Sequence, residues 1–186
     1  NVAADPLLTL AYTGVRGGLV VVSADDPGCH SSQNEQDNRH YAVLSKIPML
    51  EPADSQECLD FTKVAFELSE RFHTPVLLRL TTRVCHSKAL VRVGGRGEAP
   101  VKPYEREVRK YAMLPAFARL RHVEVEARLQ ALEEFASHSA FNRIEWCQDK
   151  KVRLIASGVA YQHAREAFGD GVSYLKLGLT HPLPKA

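Results

Sequence analysis

Residues 17–37 read GGLVVVSADDPGCHSSQNEQD, and this stretch decides the fold class. It begins with an uninterrupted apolar run, Leu19 to Val22, of which three residues are β-branched. An uninterrupted run, as opposed to an alternating one, is typical of a strand covered on both faces, as in parallel sheets. The stretch therefore predicts a parallel-sheet strand followed by a long polar loop, residues 24–37, hereafter the polar loop.

A second buried strand is predicted at residues 76–80, VLLRL. Between the two strands we expect a short helix over residues 39–44 and a longer one that starts at the capping-box pair Asp54 and Glu57. The longer helix carries an apolar stripe at helical spacing, made of Cys58, Phe61, Ala65, Leu68 and Phe72. Strand, loop, helix and strand in this order indicate a right-handed crossover in a parallel sheet.

The remaining elements follow from breaks in composition. Asp5-Pro6 predicts a first helix with Asp5 as its cap. Glycines, prolines and charges over residues 92–110 predict an exposed connector, and a long helix is expected from Leu114-Pro115 towards Phe135. A strand, a helix and a strand over residues 152–179 predict one β-α-β unit. We predict a division into residues 1–91, a linker and long helix over 92–150, and the start of a second unit over 151–186.

Composition excludes several classes of protein. The chain has 186 residues, 45% hydrophobic and 25% charged, which is typical of a globular protein. A net charge of +2 gives no strong field for nucleic acid, and no apolar run reaches the ~18–20 residues that a membrane span needs. Four scattered cysteines without a C-x-x-C pair favour reduced thiols in a cytoplasmic protein. The chain begins with Asn1, and we interpret it as a piece of a longer polypeptide.

Polar side chains are expected to meet at one edge of the sheet. Ligands of open parallel sheets bind beyond the carboxyl ends of the strands, which places the polar loop beside the loop after Leu80. The second loop offers Thr81, Thr82, Arg83 and His86. We predict a functional site here; the alternative is a surface loop whose Ser31, Ser32 or Asn34 caps the next helix.

The sequence around these loops resembles the 2-oxoacid:ferredoxin oxidoreductase family, and within it the α subunits of the indolepyruvate enzymes. The resemblance covers residues 1 to about 91. It rests on AADP at 3–6, GGLVVV at 17–22, ADDPG at 24–28, HSSQNEQD at 30–37 and PVLLRLTT at 75–82. Residues 152–184, closing with HPLP, look like the start of a transketolase-C-like domain. Residues 92–150 match more weakly.

The resemblance implies a fold and an activity. The fold is α/β: a three-layer parallel sheet with helices on both faces, part of a thiamine-diphosphate-binding fold, followed by a truncated second α/β unit. The activity is oxidative decarboxylation of aryl 2-oxo acids such as indolepyruvate to acyl-CoA, with ferredoxin as electron acceptor. Thiamine diphosphate, Mg²⁺ and a [4Fe-4S] cluster are the implied cofactors. The 2-oxo acid, coenzyme A, ferredoxin and a β subunit are the implied partners.

The same resemblance implies which residues line the site. The glutamate that activates the aminopyrimidine is expected upstream of Asn1, and the Mg²⁺ and cluster ligands downstream of Ala186, so no catalytic residue or metal ligand is assigned. The polar loop is expected to border the pyrimidine and substrate side of the cleft. Its candidate cofactor contacts are Asp25, His30, Ser31, Gln33 and Asn34. Asp37 is expected to hold the loop by capping, and Asp5 to lie near the pyrimidine pocket unless it only caps its helix.

One triplet in the sequence looks like a cofactor-binding motif of thiamine-diphosphate enzymes but has a different explanation. The triplet Gly169-Asp170-Gly171 matches the start of their magnesium and diphosphate motif. In this chain it lies between a predicted helix and the following strand, and we interpret it as a glycine that ends the helix.

Two other functions stay open at this point. The segment is alternatively a non-catalytic module that binds partners in a larger complex, with residues 92–150 as its docking surface. A third interpretation is a small Rossmann-like hydrolase with Cys29 or Ser32 as nucleophile, although no G-x-S-x-G elbow is present.

Overall fold

The computed structural model of the protein describes residues 2–98, 101–148 and 151–185. In chain order its elements are α1 (Ala4–Thr13), β1 (Val20–Asp25), α2 (Arg39–Ser45), β2 (Met49–Leu50), α3 (Ser55–Phe72), β3 (Val76–Thr81), α4 (Thr82–His86), α5 (Val108–Tyr111), α6 (Pro115–His138), β4 (Asn142–Glu145), β5 (Arg153–Ser157), α7 (Gly158–Phe168), β6 (Ser173–Leu177) and β7 (Leu179–His181).

The larger sheet has the strand order β1-β3-β2-β7. β1 and β2 both run parallel to β3, with Val22 opposite Leu78 and Leu50 opposite the same residue on the other side. This confirms the predicted parallel strands. β7 adds an antiparallel edge beside β2.

Helices cover both faces of this sheet. On one face α3 and α6 pack against alternate residues of β3, Val76 and Leu78. On the other face Ala11 of α1 and Ala42 of α2 pack against Leu77. The side chains of β3 point alternately to the two layers, so its three consecutive apolar residues, Val76 to Leu78, match a strand buried on both faces. The predicted three-layer α/β architecture is confirmed.

β1 is less covered than its sequence predicts. It lies at the edge of the sheet, and Val22 is 60% exposed. No described element covers that part of its outer face, so the expectation that both faces are buried is wrong for Val22.

A smaller sheet has the order β4-β6-β5. β5 and β6 are parallel with α7 between them in the chain, which confirms the predicted β-α-β unit. Tyr161 of α7 packs on one face of this sheet, against Tyr174 of β6. The predicted final strand over 172–179 is wrong in one respect, because the chain changes sheets at Gly178. A Cβ there would stand 2.6 Å from the carbonyl oxygen of Phe141, so the change of sheets passes through a position where only glycine fits.

The predicted division at residues 91 and 150 cuts across these sheets. β4 lies in the predicted linker yet pairs with β6, and β7 lies in the predicted last unit yet pairs with β2. The linker itself is exposed and irregular over residues 87–98 and 101–107, as expected.

The helix ends follow the predicted chemistry in two of three cases. Asp54 caps α3 by accepting the Glu57 N–H at 2.9 Å, and α7 ends at Gly169 with φ +52°, both as predicted. Glu57 in turn accepts the N–H of Ala53 at 2.8 Å. The predicted cap of α1 is wrong: the helix begins at Ala4, two residues earlier than predicted, so Asp5 lies exposed in its first turn.

We expect Arg128→Met to lower the free energy of unfolding by about 1–3 kcal/mol. Arg128 of α6 donates to the carbonyl oxygen of Ala11 at 2.6 Å, near the last turn of α1, where backbone acceptors have no intrahelical partner. Burial lowers the pKa of this guanidinium to about 10. Urea unfolding of the chain measures the effect. Arg119→Met, at an exposed position of the same helix, is the control and should change it little.

No helix among the described residues combines the length and the apolarity that crossing a bilayer requires.

Candidate functional site

The polar loop and the loop after β3 leave the sheet side by side. Asp25, the last residue of β1, lies opposite Thr81, the last of β3. The residues that directly follow the two strands, Asp26 and Thr82, are hydrogen-bonded to each other. The Thr82 hydroxyl donates to the Asp26 carboxylate at 2.8 Å. Both loops therefore lie at the carboxyl edge of the parallel strands, where the sequence predicted a site.

Asp26 organises the polar loop. Its carboxylate accepts the backbone N–H groups of His30, Ser31 and Ser32 at 3.0, 2.8 and 2.7 Å. The chain turns back towards it at Gly28, whose φ of +86° favours glycine. The Ser31 N–H foremost, with the other donors, holds the pKa of Asp26 well below its usual range. The loop is thus wrapped around one buried carboxylate.

A buried chain of ion pairs lies beneath the loop. Arg79 of β3 donates from Nε to Asp25 and from Nη1 to Glu51, each at 2.7 Å. The other oxygen of Glu51 accepts the Ser157 hydroxyl at 2.7 Å, at the start of α7. Asp25 also accepts the backbone N–H of Asn38 at 2.9 Å. The network joins both ends of the polar loop to the second sheet.

The structure places the five predicted contact residues at two depths. Asp25 is 2% exposed and engaged with Arg79, so in this arrangement it supports the loop from below. The other four, His30, Ser31, Gln33 and Asn34, are exposed on the loop. The His30 side chain lines a cavity of about 340 Å³ together with Thr82, Arg83, His86 and Ser87. Asn34 accepts a hydrogen bond from Gln36 at 2.7 Å.

Asp37 closes the loop against the next helix. Its carboxylate accepts the backbone N–H of Arg39, the first residue of α2, at 3.1 Å and also binds the Arg39 guanidinium. That guanidinium lowers the pKa of Asp37 to about 2. The contacts agree with the capping role expected of this residue.

Sequence reasoning missed Arg79 and Glu51. One signal was available: Arg79 is a charged residue within an otherwise apolar strand, and buried arginines in such places are paired. Its two carboxylate partners lie 54 and 28 residues away in the chain, so no local pattern indicates which they are.

Metal-ligating side chains do not converge in the part of the chain that the structure describes. No three His, Cys, Asp or Glu residues there stand close enough to hold an ion. Cys29, Cys58 and Cys85 carry free thiols. Burial raises the pKa of the Cys58 thiol to about 11, which makes it a poor nucleophile at neutral pH.

We expect Asp26→Asn to speed hydrogen exchange at the amides of residues 30–32 by roughly tenfold or more, because a charged acceptor becomes a neutral one. Asp60→Asn, at an exposed position of α3, is the control. The wild type should lose the same protection in acid. The pKa of Asp26 is lower in the folded than in the unfolded chain, so the stabilisation from its bonds is complete above about pH 4 and is lost as the pH falls from there through the lower, folded-state pKa. Equal exchange in both variants would contradict the anchoring role.

Curated relatives match the chain along nearly its whole length. The indolepyruvate oxidoreductase subunit IorA of Methanothermobacter thermautotrophicus is 46% identical over 189 residues, covering 99% of this chain and 31% of the relative. The IorA subunits of Archaeoglobus fulgidus and Pyrococcus abyssi are each 41% identical, covering 100% and 99% of this chain and 30% of each relative. The chain thus spans about a third of the length of these relatives.

A solved structure shares the fold. The 2-oxoglutarate:ferredoxin oxidoreductase of Magnetococcus marinus, with 2-oxoglutarate, coenzyme A and succinyl-CoA bound, aligns with a TM-score of 0.64 at 16% identity. The alignment covers 98% of this chain and 40% of that one. No family model matches the chain.

Proposed function

We propose that the chain, which matches indolepyruvate oxidoreductase IorA subunits over about a third of their length, belongs to their family and is part of an enzyme that oxidatively decarboxylates aryl 2-oxo acids. The substrates are of the indolepyruvate kind, the products are acyl-CoA and carbon dioxide, and ferredoxin accepts the electrons. The observation that carries the proposal is 46% identity to an IorA subunit over 99% of the chain.

The polar loop is the contribution of this segment to the active site. It lies at the carboxyl edge of the sheet, where open parallel sheets bind their ligands. His30, Ser31, Gln33 and Asn34 offer exposed hydrogen-bonding groups to cofactor and substrate. Asp25 and Asp26 act as positioning residues, since their carboxylates hold the loop and its neighbour in place. Because these groups are already held in place, little conformational entropy is lost when the substrate binds.

The complete enzyme needs groups that this segment does not hold. Thiamine diphosphate, when bound, would supply the electron sink that takes up the bonding electron pair as the carboxylate leaves as carbon dioxide. Mg²⁺ and a [4Fe-4S] cluster are the other cofactors that we propose for the complete enzyme, as the resemblance to this family implies. Coenzyme A, which the Magnetococcus enzyme binds, is the proposed acyl acceptor, and a β subunit the proposed partner.

We expect His30→Ala and Asn34→Ala each to lower kcat/KM by roughly tenfold to a hundredfold, the range for losing a hydrogen bond to a charged group. The assay is aryl-pyruvate-dependent reduction of ferredoxin by the full-length protein with its partner subunit, in the presence of coenzyme A. His163→Ala is the matched control, because His163 is exposed on α7, outside the polar loop.

Three outcomes separate the possible interpretations. Unchanged kinetics and unchanged thiamine diphosphate affinity in both variants would remove the polar loop from the active site. A wild type that oxidises no 2-oxo acid would reject the proposed activity and favour the partner-binding module. Ester hydrolysis abolished by Cys29→Ala or Ser32→Ala would favour the hydrolase.

A further inference from the structure

An apolar cavity of about 250 Å³ lies beside the end of the polar loop. Leu7 of α1, Val21 of β1 and Leu77 of β3 form its floor, and they belong to the packed layer of α1 and α2 on the sheet. Ala3 and Ala4, at the start of α1, also line the cavity. The cavity therefore lies on the side of the sheet that α1 and α2 cover.

Polar groups stand at one end of this cavity. The Asn38 amide donates to the Ser23 hydroxyl at 2.6 Å, and Gln36 lines the cavity beside them. The Asn38 backbone N–H is held by Asp25, so the buried ion-pair network fixes the position of the amide. An apolar base with a few fixed polar groups at its rim is the usual form of a small-molecule site.

The charge pattern indicates which part of a ligand fits here. The cavity is lined by no Lys, Arg, Asp or Glu among the residues described. The cavity around His30 contains Arg83 and His86, and one of about 200 Å³ at the start of α7 contains Arg39, Arg79 and Glu51. An uncharged, apolar group is therefore favoured beside Val21, and charged groups at the other two.

We propose that this cavity binds the aromatic side chain of the 2-oxo acid substrate. A dry cavity of about 150 Å³ lined by aliphatic and aromatic side chains holds a benzene molecule, so 250 Å³ has room for a bicyclic ring. Ring edges that carry an N–H find an acceptor in the Asn38 or Gln36 amide at the rim. The inference rests on the proposed function and adds to it the residues that select aryl over small alkyl substrates.

The test fills the cavity from the start of α1. Ala4→Leu in the full-length protein with its partner subunit should lower kcat/KM for an aryl pyruvate, relative to kcat/KM for pyruvate, by roughly tenfold or more. Ala3→Leu, at the neighbouring lining residue, should move the same ratio in the same direction. Ala127→Leu is the matched control, since Ala127 is exposed on α6 and does not line the cavity.

A binding measurement separates this inference from the proposed activity. Isothermal titration with indole-3-acetate, with acetate as the comparison, needs no turnover. We expect the wild type to bind indole-3-acetate and the Ala4→Leu and Ala3→Leu variants to bind it at least tenfold more weakly, whatever the result of the ferredoxin assay. An unchanged substrate ratio together with unchanged indole-3-acetate affinity in both variants would overturn the aryl site. Thermal unfolding identifies a variant that has failed to fold. In that case the result with the other variant decides whether the aryl site exists.

Discussion

Arg79→Met should lower the free energy of unfolding by about 3–5 kcal/mol, the cost of breaking a buried ion pair from one side. The substitution keeps much of the side-chain volume and removes the charge. It leaves Asp25 and Glu51 facing one another in a site from which water is excluded, because all three side chains are at least nine-tenths buried. Burying two carboxylates without a cation therefore costs much of the folding free energy.

The substitution of Arg79 should affect two regions of the protein. Asp25 and Glu51 keep their bonds to the Asn38 N–H and the Ser157 hydroxyl, so the unpaired charges act on both the polar loop and the start of α7. If the proposed function holds, ferredoxin reduction by the full-length variant should fall as well, because Arg79 holds Asp25 beneath the polar loop.

Urea unfolding of the 186-residue chain measures the stability effect, with Arg83→Met as the control at an exposed position just after β3. A triple variant, Asp25→Asn with Arg79→Met and Glu51→Gln, removes every charge of the network. It should recover most of the loss, since uncharged replacements of buried ion pairs are often tolerated. If Arg79→Met costs no more than Arg83→Met, the buried network does not support the loop.

The sequence allowed the layers of the fold to be predicted because their signals are local. Uninterrupted apolar runs mark β1 and β3, and helical spacing marks α3. β2 was missed because it is two residues long, Met49 and Leu50, within a run of prolines and polar residues. β4 was missed because its sequence, Asn142 to Glu145, has one aliphatic residue and is held by pairing with β6. Neither strand therefore has a sequence pattern from which it could be predicted.

The place of the polar loop in the fold could be predicted, but which of its side chains support the backbone could not. The density of polar residues after β1 indicated where side chains gather. Whether a given aspartate faces ligand or supports backbone depends on partners far away in the chain, such as Thr82 for Asp26. Asp25 was predicted as a cofactor contact for this reason, and the structure engages it with Arg79.

A second large effect is expected where the two sheets meet, at the ion pair between Lys176 of β6 and Glu57 of α3. Glu57→Gln should lower the free energy of unfolding by about 3–5 kcal/mol, because it leaves the ammonium group of a fully buried lysine without its carboxylate. Glutamine keeps an oxygen that can accept the Ala53 N–H, so the cap of α3 is retained and the loss reports on the charge. The rings of Phe61 and Tyr161, 5.0 and 5.8 Å from Nζ, offset only part of it.

Lys176→Met should cost less than Glu57→Gln. The carboxylate that it leaves behind is close to the surface and still accepts the Ala53 N–H, with Arg143 Nη1 at 3.5 Å. The double variant, Glu57→Gln with Lys176→Met, should be more stable than Glu57→Gln alone. Urea unfolding of the four proteins forms a complete cycle, and Glu67→Gln, exposed on the same helix, is the control.

The pH dependence distinguishes a charge effect from a packing effect. Burial lowers the pKa of Lys176 below its usual value, and the loss of Glu57 should lower it further. Between that lowered value and about 10.4 the unfolded chain binds more protons than the folded one, so stability rises with pH across this window. The deficit of Glu57→Gln should therefore be smaller near pH 9 than at pH 7, and the double variant should lack this recovery. A deficit that is equal at both pH values would mean that the glutamate contributes through its shape and hydrogen bonds, and that the sheets are not held together by the charge of Lys176.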